Sequence, residues 1–125
     1  MRFNAVIVDP YTNSATANVM FADPDTNPDE PSVLSFSRPI EPGFEDSSYY
    51  FEINDQSNGN YGGLEAVTLT RYGLNVLLSE KVVAKFGNTN FREIQVDFDI
   101  SDKVYQSVSE MLQRIFKGYD IFEVQ

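Results

Sequence analysis

Two glutamates, Glu52 and Glu65, flank a polar run, Asp55-Gln56-Ser57-Asn58-Gly59-Asn60, that closes on Tyr61-Gly62-Gly63. Carboxylates on strands either side of a loop are the minimum apparatus for acid–base hydrolysis. That chemistry also needs a set separation and a raised pKa on one partner, and the sequence supplies neither. The chain has no His and no Cys. It therefore lacks the commonest general base near neutral pH, any thiol chemistry, and the usual zinc ligands. No serine stands in a nucleophile elbow, and Gly59, Gly62 and Gly63 fit neither phosphate-cradling spacing. Asp23, Asp25, Asn27 and Asp29 alternate like the start of a calcium loop. The likeness fails where such a loop requires glycine and a closing glutamate, because Pro28 and Leu34 stand there. The expectation is a chain with no catalytic residue, no metal and no cofactor.

The same residues suit binding better. A large aromatic among small polar groups offers much contact area for little lost entropy, and Tyr61 stands in such a setting. The residues expected to meet a partner are Glu52, Asp55, Asn58, Tyr61 and Glu65. Two readings of the Asp55–Gly63 segment stay open. It is a contact loop, or it is a hairpin connection whose Tyr61 folds back onto the core.

Charge narrows the choice of partner. The net charge is −10, from 19 acids against 9 bases. Residues 1–62 hold ten acids and only Arg2 and Arg38 as bases; residues 63–125 hold nine acids and seven bases. Nucleic acid and anionic membrane surfaces demand the opposite sign. A basic protein surface is complementary and would be drawn in faster. The N-terminal apolar run is broken by Asp9-Pro10 too soon for a signal peptide, and nothing approaches the ~20 apolar residues that span a bilayer. A cytoplasmic protein is expected.

Several elements must position these groups. Phe3 to Asp9 reads as one strand buried on both faces, paired with Ser14 to Ala22. Three prolines exclude regular structure from Asp23 to Pro31. Ser32 to Arg38 alternates and is stopped by Pro39. Glu41-Pro42-Gly43 is a turn, with Glu45-Asp46 just before a central strand of Tyr49, Phe51 and Ile53. Ala66–Thr70 and Leu74–Leu78 flank a gly-bearing turn at Arg71-Tyr72-Gly73, and Arg71 reads as an exposed charge. Ser79 to Gly87 suggests a short helical turn. Phe91 to Ile100 alternates as a strand. Ser101 caps a helix in which Val104, Tyr105, Val108, Met111, Leu112, Ile115 and Phe116 make one apolar stripe, ended by Gly118. A length of 125 residues is that of one domain. The sum is an α+β domain over residues 1–125. It has a mostly antiparallel sheet of about seven strands, and one long C-terminal helix packed on one face.

The central segment Tyr50-Phe51-Glu52-Ile53-Asn54-Asp55-Gln56, with Asn58-Gly59 and Tyr61-Gly62-Gly63-Leu64-Glu65, resembles the immunity protein 10 family of bacterial polymorphic toxin systems. A weaker likeness runs through Thr70-Arg71-Tyr72-Gly73-Leu74 to Arg114-Ile115-Phe116-Lys117-Gly118. Together these cover roughly the last two thirds of the chain. The resemblance implies a small cytoplasmic antidote that binds and occludes a cognate toxin. Two other classes remain open: a homodimeric scaffold using a sheet edge, and a hydrolase using Glu52 and Glu65.

Overall fold

The described residues form ten strands, and crossings at Ala5-Val6 and at Gly62-Gly63 sort them into two sheets. A computed structural model describes residues 1–44, 46–87 and 91–125; Glu45, expected just before the central strand, lies outside them. The strands are β1 (Arg2–Asn4), β2 (Ile7–Thr12), β3 (Thr16–Asp23), β4 (Ser32–Pro39), β5 (Tyr50–Ile53), β6 (Asp55–Tyr61), β7 (Leu64–Thr70), β8 (Gly73–Leu78), β9 (Glu93–Asp97) and β10 (Phe122–Val124). Helix α1 spans Glu80–Lys85 and α2 spans Asp102–Ile115. Sheet I runs β1-β9-β8-β7-β10, and sheet II runs β2-β3-β4-β5-β6.

The α+β class agrees with expectation, but the single sheet of seven strands does not. The chain crosses between sheets at two places. Ala5 N–H donates to the Asp97 carbonyl in sheet I at 2.8 Å, and the next amide, Val6 N–H, donates to Ala22 in sheet II at 2.9 Å. The expected strand from Phe3 to Asp9 is thus split, and Val6 and Ile7 are exposed rather than buried on both faces. The second crossing is Gly62-Gly63, with φ of 72° and 89°. Gly62 N–H still bonds the carbonyl of Tyr49, the residue before β5 of sheet II, whereas the Gly63 carbonyl accepts from Ser79. Left-handed backbone of this kind is open to glycine at little cost. Sheet I is also mixed. β1 joins β9 in parallel and β10 joins β7 in parallel, because both terminal strands add to edges after long excursions of the chain.

The apolar faces of both sheets meet helix and loop side chains in one cluster. Phe21 stacks on Phe98, Phe36 meets Phe116 edge-on, and Phe51 meets Phe86 at the end of α1. Phe116 also stacks on Phe122 of β10, a strand the sequence reading did not foresee. Each such buried side chain contributes about 1.5–3 kcal/mol relative to exposure. Helix α2 starts as expected, with Ser101 Oγ accepting from Val104 N–H at 3.2 Å. Val108, Leu112 and Ile115 are buried on its inner stripe. Its C-terminal carbonyls, the negative end of the helix dipole, accept from Arg38 of β4: Nη1 donates to Ile115 at 3.1 Å and also to Lys117.

A candidate partner-binding face

The Asp55–Gly63 segment is neither of the two structures expected of it. Most of it is β6, the outermost strand of sheet II. The turn from β5 is made by Asn54 alone, in left-handed backbone with φ 65°. Asn tolerates this conformation because its short side chain bonds nearby backbone. Here Asn54 Oδ1 accepts from Val33 N–H at 2.9 Å, and Asn54 N–H donates back to Val33 at 2.8 Å. An edge strand needs only one neighbour and can be polar along its whole length, so turn-forming residues occupy a strand.

Tyr61 does not fold back onto the core. It is 73% exposed, and its ring lies 4.9 Å from that of Tyr50, its partner in the β5–β6 register. Glu52 follows on the same face of β5 and accepts from the Tyr50 hydroxyl at 2.8 Å. Burial, with the carboxylate second, pushes the Tyr50 hydroxyl up to about 12, so it remains a donor. Opposite Glu52 in register stands Gly59. A Cβ there would run into the Tyr50 hydroxyl, so the glycine leaves room for the tyrosine to lie across the strand. Tyr50 does not stand out in the sequence, because its place opposite Gly59 and Tyr61 depends on β6 pairing with β5.

Asp55 and Asn58 are placed differently. Asp55 accepts from Ser57 through both its N–H, at 2.9 Å, and its hydroxyl. These bonds hold its carboxyl below the usual range, the Ser57 hydroxyl first. Asn58 is 9% exposed and is part of a concavity of ≈ 290 Å³ lined by Asp29, Glu30, Pro31, Asn54, Asp55 and Asn58. The acidic proline-rich loop and the β5–β6 turn, flagged separately in the sequence, therefore meet at one place. Asp23 is spent on shaping that loop. Its Oδ1 accepts from the backbone N–H groups of Asp25 and Thr26, each at 3.2 Å. Hydrogen bonds from Thr26, side chain first, hold its carboxyl low.

Glu65 is apart from this group. It lies on β7 in sheet I and pairs with Arg92 at 2.6 Å. The two glutamates considered for hydrolysis therefore belong to different sheets, and each already bonds a neighbour. Among the described residues no cluster of three or more acidic side chains is arranged to hold a metal ion. On the other flank of β6, Lys85 of α1 donates to Asn60 Oδ1 at 2.6 Å. Lys81 and Lys85 join Tyr61, Gly63 and Val82 around a second concavity of ≈ 480 Å³. Arg71 is not the simple exposed charge that its place near a hairpin tip suggests. It is held between the rings of Tyr72 and Tyr105, at 5.1 and 5.0 Å, and bonds the Ile100 carbonyl and Asp102.

Rings, amides and carboxylates are thus spread over a sheet border and a loop, and the two glutamates considered for hydrolysis are not brought together. The sequence model of one family, Immunity protein 10, matches residues 3–106, and the chain belongs to that family. Comparisons with curated proteins and with solved structures gave no match. Family membership points to an immunity protein directed against a toxin. Among the described residues no helix is long and apolar enough to cross a membrane.

Proposed function

We propose that the protein neutralises a cognate bacterial toxin by binding it and covering its working surface, with no bond made or broken by the antidote. The match to the immunity family over residues 3–106 carries this reading. Two features support it. The net charge of −10 favours a basic partner, and the Asp29, Glu30, Asp55 and Asn58 concavity gathers acceptors at one end of β6. In this reading Glu52, Asp55, Asn58, Tyr61 and Glu65 meet the partner, and the protein works in the cytoplasm as one domain.

The test is co-expression with the toxin domain encoded beside the gene. Cells carrying both should grow, and the purified pair should elute as one complex of equal stoichiometry. Death of the co-expressing cells, or two separate species on elution, overturns the reading.

A further inference from the structure

The outer face of sheet II is built from short or polar side chains beside one aromatic ledge. Asn18 and Met20 of β3, Ser35 and Ser37 of β4, and Tyr50 and Glu52 of β5 are all partly exposed there. Their alternates Val19, Phe21, Leu34, Phe36, Phe51 and Ile53 are buried. Helix α2 covers the opposite face, where Phe116 meets Phe36. Register places Ser35 beside Glu52 and Ser37 beside Tyr50. On the β6 side, Glu52 faces Gly59. Ser35 and Gly59, the small neighbours of Glu52 on its two sides, leave room above the carboxylate.

Resting on the reading that the chain binds a toxin, we infer that Tyr50, Glu52 and Tyr61 form a receptacle for one arginine side chain of that toxin. Three observations carry the assignment. Tyr61 presents an exposed ring, packed against Tyr50 at 4.9 Å with a tilt of 54°, so its outward face is open to a partner. A guanidinium is planar and weakly hydrated, and it stacks on such faces. Glu52 spends one oxygen, Oε1, on the Tyr50 hydroxyl at 2.8 Å; its other oxygen has no partner among the described residues and supplies the counter-charge. The tyrosine bond also fixes the carboxylate's orientation before the partner arrives, so little side-chain freedom is lost on binding. The overall charge of −10 favours a cationic partner over an anionic one. Lysine would satisfy the charge but not the stacking.

The receptacle can be tested without the toxin. The capped tripeptide acetyl-Gly-Arg-Gly-amide is titrated into the isotope-labelled protein and followed by NMR, beside the lysine and glutamine versions. The ring signals of Tyr50 and Tyr61 and the Glu52 carboxylate should shift saturably with arginine, less with lysine, and not with glutamine. Glu52→Gln should abolish the arginine response. Shifts equal for arginine and glutamine, or untouched by Glu52→Gln, overturn the inference. Shifts equal for lysine and arginine overturn the arginine preference.

The second arm uses the adjacent toxin domain. Tyr61→Ala and Glu52→Gln should each weaken its affinity roughly tenfold or more, as loss of a central anchor does. Both changes lie at the surface, and their melting temperatures report that the fold is intact. If the wild type binds and both variants stay within twofold, the receptacle is wrong and the antidote reading stands. If the wild type does not bind, the antidote reading falls and the peptide titration alone decides the receptacle.

Discussion

Arg71 shows how one residue can join distant parts of the chain. Its guanidinium lies between Tyr72 on the β7–β8 turn and Tyr105 on α2. Nη2 donates to the Ile100 carbonyl and to Asp102, both at 2.8 Å. Nη1 is buried with no hydrogen-bond partner among the described residues, while the guanidinium as a whole lies over two ring faces. The ion pair itself is weak, because the Asp102 side chain is 97% exposed. Stacking and the carbonyl bond matter more. Arg71→Met should therefore lower stability by about 1–2 kcal/mol in urea unfolding, and Asp102→Ala should move the midpoint far less. Equal effects would make the ion pair the main contact. Asp23 gives a prediction in pH. Hydrogen bonds from Thr26 and Asp25 lower its pKa in the folded state. The stability it adds is present above the unfolded value near ~3.9 and is lost as pH falls through the lower folded value. Asp23→Asn should lessen the fall in the urea midpoint below about pH 4, leaving the part contributed by Asp55, whose carboxyl is also held low. An unchanged slope would mean the carboxylate is not the group that titrates. Neither role was legible in the sequence. Arg71 meets Tyr105 only once α2 has docked, and Asp23 looked like one more acid in an acidic loop.

Among the elements, what could be read locally was read correctly, and what depended on a crossing was not. The stripe from Val104 to Phe116 and the cap at Ser101 define α2 without reference to anything else, and the β7–β8 hairpin follows from two apolar runs around Gly73. The division into two sheets rests instead on Ala5-Val6 and on Gly62-Gly63, short peptides with no periodicity to betray them. β6 was hidden for a different reason. Its residues Asp55 to Asn60 have turn chemistry, and only the backbone of β5 makes them a strand. Gly63 is the most constrained of these points. Its φ is 89°, and a Cβ would strike Val82 of α1 and approach Asn60 Nδ2 at 2.9 Å. Gly63→Ala should thus both strain the backbone and push α1 away from sheet II. A loss of about 2–3 kcal/mol is expected in chemical unfolding. Gly62→Ala, with its nearest contact at 3.5 Å, should cost only the backbone strain, about 1 kcal/mol. Equal losses would place α1 farther from the crossing than the geometry shows.

At the scale of the whole molecule, charge was the property most open to reading, because it is a sum over residues and needs no fold. Its placement was not: the meeting of Asp29 and Glu30 with Asp55 and Asn58 depends on Asn54 pinning the β5–β6 turn to Val33. The two facts act on different parts of binding. A net charge of −10 acts at long range and is screened within ~10 Å at 0.1 M salt. It should set how fast a basic toxin arrives. The close contacts at Tyr61 and Glu52 act only after docking and should set how long it stays. Stopped-flow measurements on the proposed pair should thus show an association rate that falls roughly tenfold between about 10 and 300 mM salt, and a dissociation rate that changes little. Asp29→Lys with Asp55→Lys should flatten the salt dependence of association, whereas Tyr61→Ala should raise dissociation and leave that dependence as it was. An association rate indifferent to salt would remove charge as the means of capture and leave shape alone to choose the partner.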